Sequence, residues 1–174
     1  MEIYHTSNIE IKHPDIHHGR VNADFGQGFY LTTDRDFTFR WAGRDSVVNV
    51  YDLDLSGLNV HRFSRNLDWF NYIFSNRKAK DTLNADIIIG PIANDTIYDT
   101  LGVISSGHLK PEEALKLLMV GPEYTQIAIK SEKAVKQLVW KDSLHGINKS
   151  EYAAEYKKEQ EDYLDKFTEA MKSL

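Results

Sequence analysis

The chain has 174 residues, 41% of them hydrophobic and 27% charged, and its formal net charge at pH 7 is -5. This length is enough for one domain with a sizeable core, and the composition is too apolar for a disordered chain. The negative charge excludes the overall basic surface of a general nucleic-acid binder. The absence of cysteine excludes disulfides, thiolate metal ligands and a cysteine nucleophile. The N-terminal region has no apolar run typical of a signal peptide or a membrane span, so we expect a cytoplasmic protein.

The first half of the chain predicts short strands, one long loop and two helices. Alternation in MEIYHTS predicts a strand that ends at Ser7, and residues 8–24, with one Pro, one Gly and three His, predict the loop. GFYLTT and SVVNVYDLD predict two further strands, and ADIIIGPIAND predicts a buried one. DRDFTFRWAGRD predicts a helix capped by Thr33 or Asp34, and RNLDWFNYIFSNR predicts an amphipathic helix. The apolar face expected for that second helix consists of Leu67, Phe70, Ile73 and Phe74.

The second half of the chain continues the mixture of helices and strands. NDTIYDTLGVIS and KPEEALKLLMV predict helices, and SEKAVKQL predicts a short helix capped by Ser131. EYTQIAIK predicts a strand with Ile127 and Ile129 on one face and Gln126 and Ala128 on the other. VWKDS predicts a last strand. This order of elements favours an α+β fold.

The C-terminal segment NKSEYAAEYKKEQEDYLDKFTEAMKSL predicts one long helix with Asn148 as its cap. Apolar residues recur along one side of this helix: Tyr152, Tyr156, Tyr163, Phe167 and Met171. The stripe packs either on the protein's own core or on a partner or second copy of the chain, and the sequence leaves both alternatives open. We therefore divide the chain into a domain over residues 1–147 and a C-terminal amphipathic helix over residues 148–174.

Two short motifs carry the functional signal. They are YHTS in the first predicted strand and DFGQGFYLTTD at the second. Alone, His5 is a common polar residue near a strand end, and GQGFY predicts only a glycine-rich turn. Together and in this order, the motifs resemble the ADP-ribosyltransferases of the His-Tyr-Glu type. Those proteins have one strand reading His-Gly-Ser or His-Gly-Thr and a later strand entered by Phe-Gly-x-Gly-x-Tyr. The resemblance implies a split β-sheet core with peripheral helices, and NAD as the substrate.

From Tyr4 to Leu138 the chain more closely resembles a bacterial family, domain of unknown function 3990, which is assigned to that superfamily. Members of the family are often encoded beside a small partner protein in a toxin–antitoxin-like arrangement. The resemblance implies a toxin-like mono-ADP-ribosyltransferase that cleaves the nicotinamide–ribose bond of NAD and transfers ADP-ribose to a macromolecular target. It also implies a small antitoxin-like partner, and the C-terminal helix is a candidate surface for homo-oligomerisation.

The resemblance carries roles over to the first motif and to the tyrosine of the second. His5 matches the histidine whose ring binds a ribose hydroxyl of NAD, which suits an imidazole that can donate or accept a hydrogen bond. Thr6 follows it at the position that contacts the nicotinamide amide through backbone groups, and Ser7, the next motif residue, is also assigned to the cofactor site. Tyr30 matches the tyrosine that stacks on the nicotinamide ring. His5 and Tyr30 are therefore expected to act in catalysis as well as in binding.

Further cofactor-binding positions lie around the second motif. Gly26 and Gly28 are expected to let the strand approach the nicotinamide ring closely. Thr38 falls where relatives place a hydroxyl for the carboxamide, and Trp41 falls where a second aromatic side chain closes the ring sandwich. The resemblance thus implies one slot with an aromatic wall on each side.

The third motif position departs from the family pattern. Relatives usually have a glutamate there, whose carboxylate binds a ribose hydroxyl and stabilises the oxocarbenium-like transition state. The matching residue here is Gln126, whose amide can bond the hydroxyl but cannot act as a base. A glutamine at this position implies one of three alternatives. The protein transfers single ADP-ribose units rather than poly(ADP-ribose), another residue supplies the base, or catalysis has been lost. Asp95 is a candidate carboxylate if its loop folds over the cleft, and Glu123 is expected in a solvated turn.

Three arginines are candidates for the pyrophosphate of NAD, because guanidinium groups pair well with phosphate oxygens. They are Arg20, Arg65 and Arg77. We assign Arg20 to the cofactor site and expect Arg77 at the protein surface.

Two alternatives to the transferase remain. The spacing of His13, His17 and His18 would suit a metal if the segment were helical, but Pro14 and Gly19 favour a loop, so we predict no metal site. A metal-dependent hydrolase that uses this loop is the weaker alternative. The stronger one is a catalytically weak or inactive NAD-binding module that acts on a partner protein through its C-terminal helix.

Overall fold

The computed structural model of the protein describes residues 1–40, 42–43, 45–93, 109–146 and 152–174. These residues contain helices and strands mixed along the chain, which confirms the predicted α+β class. The strands are β1 (Glu2–Ser7), β2 (Phe29–Leu31), β3 (Val47–Leu53), β4 (Val60–Arg62), β5 (Ile87–Pro91), β6 (Thr125–Ile129) and β7 (Leu138–Leu144). The helices are α1 (Arg35–Thr38), α2 (Leu67–Arg77), α3 (Pro111–Leu118), α4 (Glu132–Val135) and α5 (Ala153–Lys172).

The described strands form two sheets that meet at one short bridge. The first sheet is antiparallel and has the order β1-β3-β7, and the second has the order β2-β6-β5-β4. In the second sheet β4 and β5 are parallel, while β6 is antiparallel to both β2 and β5. Tyr4 and Thr32 join the sheets through two backbone hydrogen bonds of 2.8 and 3.0 Å. The ends of β1 and β2 therefore lie side by side where the sheets meet.

Side chains of β6 alternate between two hydrophobic cores, as the sequence predicts. Ile127 and Ile129 pack with Ile3 of β1 in one core. Ala128 packs with Trp69 of α2 in the other. Gln126 shares the face of Ala128, because side chains two residues apart in a strand point to the same side. The polar Gln126 side chain therefore lies on the face of the sheet that α2 covers.

Local sequence explains where the shorter helices begin. Asp34 caps α1, Asn66 caps α2 and Ser131 caps α4, each by accepting a hydrogen bond from the backbone N–H three residues later. α3 begins at Pro111, whose missing N–H loses no hydrogen bond in the first helical turn. Of the two caps predicted for α1, Thr33 and Asp34, the structure has Asp34, and the predicted cap at Ser131 is confirmed.

α1 is shorter than its sequence pattern predicts. The backbone N–H groups of Phe39, Arg40 and Ala42 each bond to the carbonyl three residues earlier, so tight turns replace further α-helix after Thr38. Phe39 and Ala42 are nevertheless buried. The apolar spacing that predicts a longer helix is thus satisfied by a sequence of turns.

Two further elements differ from their predictions. α2 buries Phe70 and Ile73 as predicted, but it also buries Trp69 and Tyr72 and leaves Leu67 37% exposed, so its buried face differs in part from the predicted one. Burial of Trp69 lets its indole N–H donate to the carbonyl of Pro91 at 3.0 Å, which fixes this face by a hydrogen bond. The sequence pattern predicts no strand at β4. This strand has only three residues, at the edge of its sheet, and is too short to show alternation.

Two predicted features lie outside the described residues: the helix in NDTIYDTLGVIS and the Asn148 cap of the last helix. In the part of the chain that the structure describes, no helix is both long enough and apolar enough to span a membrane.

The C-terminal helix α5 packs on the domain through part of its apolar stripe. Tyr163 is 2% exposed and lies against Gly121, which follows α3. Tyr152 lies next to Phe39, with a distance of 4.8 Å between the ring centres. Tyr156 and Met171 are each 39% exposed. The stripe thus packs on the protein's own core at Tyr163 while other members stay partly open to solvent.

The glycines of DFGQGFY are required by packing within the protein. Gly26 has a φ of +74°, a left-handed conformation that glycine adopts without strain, and a Cβ there would lie 2.8 Å from an Asp81 carboxylate oxygen. A Cβ on Gly28 would lie 2.6 Å from the carbonyl oxygen of Ile129 in β6. The turn therefore brings the backbone of this loop against β6.

Replacing Gly28 with alanine should destabilise the protein. The new Cβ would meet rigid backbone of β6, and we expect the free energy of unfolding to fall by about 2 kcal/mol, as for other overpacked interior positions. Urea denaturation followed by circular dichroism measures this difference. Gly43→Ala is the matched control, because the nearest atom to its Cβ would be 3.7 Å away. Equal stability of the two variants would contradict the packing explanation.

Candidate functional site

A cleft of about 650 Å³ lies beside the bridge between the two sheets. This volume is in the range of small-molecule sites in proteins. The wall includes residues of β1, β2 and β6, the loop before β2, and α5. The contribution of α5 consists of Tyr156, Glu159, Gln160 and Tyr163. Residues distant in sequence therefore converge on one concave surface.

His5 lines the cleft from β1, with one ring nitrogen held by the backbone. Its Nδ1 lies 2.6 Å from the carbonyl oxygen of Tyr30, so Nδ1 carries the proton and donates it. Burial lowers the pKa of His5, which keeps the ring neutral at pH 7. In this tautomer Nε2 is an acceptor, available for a hydrogen bond from a hydroxyl group of a ligand.

Tyr30 lines the same cleft from β2, and its hydroxyl is engaged within the protein. The hydroxyl donates to the carbonyl of Gly26 at 2.6 Å and accepts the backbone N–H of Phe25 at 2.9 Å. Burial raises the pKa of Tyr30, so the side chain is neutral. The ring is thus the part of Tyr30 that a ligand can contact, while the hydroxyl fixes the loop that carries the two glycines.

Gln126 lies in β6 at the inner wall of the cleft and is 8% exposed. Its Nε2 donates to the Asp24 carboxylate at 2.9 Å. The other carboxylate oxygen accepts from Arg77 of α2, and the backbone N–H of Ala93 also donates to Asp24, at 3.1 Å. With Nε2 fixed in this way, the amide of Gln126 has a defined orientation. No hydrogen bond to its Oε1 is found among the described residues, so Oε1 is the acceptor that Gln126 offers to the cleft.

Asp24 is a buried carboxyl group, 7% exposed, at the centre of this network. The pKa of Asp24 is raised because burial outweighs the Arg77 guanidinium, the Gln126 amide and the Ala93 N–H, but these donors reach both oxygens and so bond the ionised form. A carboxylate bonded to the amide of Gln126 polarises that amide and makes its Oε1 a better acceptor. Asp24 therefore places a negative group directly behind Gln126.

The remaining predicted site residues divide into those at the cleft and those away from it. Thr6 lines the cleft, and its hydroxyl donates to the carbonyl of Thr38 at 2.9 Å. The Thr38 hydroxyl donates to the Arg35 carbonyl within α1, and Ser7 accepts from Asn49 of β3 at 3.1 Å. The cleft wall does not include Ser7, Gly26, Gly28 or Thr38. Trp41 and Asp95 lie outside the described residues.

Among the described residues, four arginines line the cleft: Arg20, Arg40, Arg65 and Arg77. Arg20 is exposed. Arg65 donates to the carbonyls of Met119, Gly121 and Pro122, which holds the turn after α3. The expectation that Arg77 lies at the surface is wrong. Its side chain is 10% exposed because the Asp24 carboxylate draws it inward from the end of α2.

The histidine loop and Glu123 do not form a catalytic cluster in the described structure. His18 pairs with Asp15 at 2.7 Å on the surface. The described residues contain no group of three or more His, Asp or Glu side chains arranged to hold a metal ion. Glu123 is 53% exposed and pairs with Arg65 at 3.7 Å, which agrees with its prediction as part of a solvated turn.

Asp24 and Arg40 are among the cleft residues that were assigned no role from the sequence. Asp24 begins the DFGQGFY motif, so its place beside the motif glycines is the signal that could have found it. Arg40 has no such signal, because a single arginine among the charged residues after α1 looks like an ordinary surface residue.

The arrangement can bind a ligand that has both hydroxyl groups and a flat ring. His5 Nε2 and Gln126 Oε1 are acceptors for hydroxyl groups, and Tyr30 offers the face of an aromatic ring. The cleft arginines favour an anionic ligand.

The model of a family described as "Protein of unknown function (DUF3990)" matches residues 1–140, and the chain therefore belongs to this family. No curated protein and no solved structure matches the chain. The matched residues contain the whole described wall of the cleft except the residues of α5.

The contact between Asp24 and Gln126 makes a prediction about pH. Gln126→Glu would put two carboxyl groups about 3 Å apart, so one of them would have a pKa well above the value of about 4.3 in an unfolded chain. When a carboxyl group has a higher pKa in the folded state than in the unfolded chain, the protein loses stability as the pH rises through the folded-state pKa. We expect the variant to lose roughly 2 to 3 kcal/mol of stability relative to wild type between pH 4 and pH 8, measured by thermal denaturation.

Gln126→Met is the control for this prediction. It removes the same hydrogen bond to Asp24 but introduces no second carboxyl group. Its stability relative to wild type should therefore change much less between pH 4 and pH 8 than that of Gln126→Glu. If Gln126→Glu followed the wild-type pH profile, the two side chains would not be in contact.

Proposed function

We propose that this protein is an NAD-dependent mono-ADP-ribosyltransferase that cleaves the nicotinamide–ribose bond and transfers ADP-ribose to a macromolecular target. The observation that carries the proposal is the convergence of His5, Tyr30 and Gln126 on one cleft. These residues come from β1, β2 and β6 and match, in this order, the three motif positions of the superfamily. The exposed Arg20 at the cleft gives further support, because a guanidinium group pairs well with phosphate oxygens.

Each side chain has a role that its observed contacts allow. His5 Nε2 accepts a hydrogen bond from a ribose hydroxyl, since Nδ1 is held by the Tyr30 carbonyl. The ring of Tyr30 stacks on the nicotinamide. Gln126 Oε1 accepts from the second ribose hydroxyl, and the carboxylate of Asp24 behind the amide strengthens this acceptor.

These contacts orient the ribose while the nicotinamide leaves as a neutral ring with the electrons of the broken C–N bond. The nucleophile of the target then forms the new bond to the ribose carbon and loses its proton. A neutral Gln126 does not accept that proton, so the target or another group of the site accepts it.

Release of nicotinamide from labelled NAD, with and without cell extract, is the direct test. His5→Ala should reduce the rate about tenfold or more, the equivalent of one hydrogen bond to the substrate. His13→Ala is the matched control because His13 is exposed and lies outside the cleft wall. Absence of nicotinamide release and of any labelled product would contradict the transferase.

A toxin-like role follows from the same proposal, with a small antitoxin-like protein as a partner. Expression of the wild-type chain in bacteria should then arrest growth, and His5→Ala should relieve the arrest while His13→Ala should not.

The neutral amide at position 126 and the presence of α5 at the cleft favour a second candidate, an NAD-binding module without catalysis. Calorimetry would then show NAD binding without nicotinamide release. Tyr30→Phe keeps the ring but leaves the Gly26 carbonyl and the Phe25 N–H without this partner, so any loss of NAD binding in this variant should accompany a loss of stability.

A further inference from the structure

A guanidinium group in the cleft is paired with a carboxylate from the C-terminal helix. Nη1 and Nη2 of Arg40 each lie 2.5 Å from one carboxylate oxygen of Glu159. The Tyr124 hydroxyl accepts from Nη2 at 2.5 Å and donates to Glu159 at 2.9 Å. All three residues line the cleft. The two Nη atoms of Arg40, the fork of its guanidinium group, therefore both bind one anionic group inside the cleft.

Aromatic rings hold this guanidinium in place. Its central carbon lies 4.4 Å from the ring centre of Tyr124, 5.1 Å from that of Phe37 and 5.5 Å from that of Tyr156. The rings of Phe37 and Tyr124 stack, with 4.3 Å between their centres. Because the fork is already ordered, little side-chain freedom is lost when it binds an anion.

The cation and its anion come from different parts of the chain. Arg40 and Tyr124 belong to the residues that the family model matches, whereas Glu159 lies in α5, outside residues 1–140. A guanidinium fork binds the oxygens of a carboxylate and of a phosphate in the same two-armed geometry. The hydrogen bonds from Arg40 lower the pKa of Glu159, so its carboxylate is charged at neutral pH. The carboxylate of Glu159 thus binds Arg40 in the way that a phosphate group of a ligand would.

Two other cleft arginines have different partners. Arg65 donates to backbone carbonyls, and Arg77 pairs with the buried Asp24. Arg40 differs because its partner belongs to a helix that joins the wall from outside the matched domain. Separation of α5 from the cleft would free the Arg40 fork without breaking the Asp24 network.

We propose that Arg40 and Tyr124 form the site that binds the diphosphate of a nucleotide in this cleft, and that Glu159 occupies this site until the ligand displaces it. The inference rests on the proposed function only for the identity of the nucleotide as NAD. The anion site is tested separately, because inorganic pyrophosphate has the same chemistry and contains no nucleotide.

Calorimetric titration of the full chain with inorganic pyrophosphate at low ionic strength tests the site. Glu159→Gln removes the competing charge and keeps the size of the side chain, and we expect it to bind pyrophosphate at least about fivefold more tightly than wild type. Glu155→Gln removes the same charge from an exposed position of α5 that does not line the cleft, and should bind as wild type does.

A second pair of variants tests Arg40 itself. Arg40→Gln/Glu159→Gln should bind pyrophosphate at least about tenfold more weakly than Glu159→Gln, because the fork is lost. If that protein does not fold, Tyr124→Phe/Glu159→Gln keeps both rings and should still bind more weakly than Glu159→Gln. Equal affinities of Glu159→Gln and wild type would overturn the proposal. So would an equal gain in Glu155→Gln, or full affinity in the double variants.

Titration of the Glu159→Gln protein with NAD and with ADP-ribose separates the two proposals. Tighter binding of both nucleotides than of pyrophosphate supports the anion site and the NAD assignment together. If the pyrophosphate results hold and neither nucleotide binds more tightly than pyrophosphate, the anion site stands and the NAD assignment fails.

Discussion

The buried carboxylate of Asp24 is the constraint on which the rest of the site depends. It joins four segments: its own loop, α2 through Arg77, β6 through Gln126, and the residues after β5 through the backbone of Ala93. Breaking a buried ion pair by removing one partner typically costs roughly 3 to 5 kcal/mol, because the other charge is left without compensation. Since these segments form the inner wall of the cleft, one carboxylate sets both the local stability of this wall and its shape.

The groups that this wall presents to a ligand are neutral, and its charges are paired. His5 is neutral because of burial, Tyr30 is neutral, and Gln126 is an amide. The negative charge nearest to Gln126 lies one side chain further from the cleft, on Asp24. A glutamate at position 126 would meet that carboxylate directly, which is a physical reason for an amide at this place.

The sequence predicted the strands and caps well and explained the glycines less well. His5, Tyr30 and Gln126 could be placed because each belongs to a strand with clear alternation and a motif. Gly26 and Gly28 were expected to make room for a ligand, and their Cβ positions are instead blocked by protein atoms. Arg77 was expected at the surface, because a sequence does not show which carboxylate a long side chain will reach.

By itself, the sequence determined the α+β class, a first strand that ends at Ser7, the positions of His5 and Tyr30, a cap of α1 at Thr33 or Asp34, the alternation of β6, and the long C-terminal helix. These features depend on residues that are neighbours along the chain, within one strand or one helical turn. Only the tertiary structure decided that Asp24 lies behind Gln126 and that Glu159 lies on Arg40. Those pairs are separated by 102 and 119 residues, and no local pattern specifies a contact made across the packed fold.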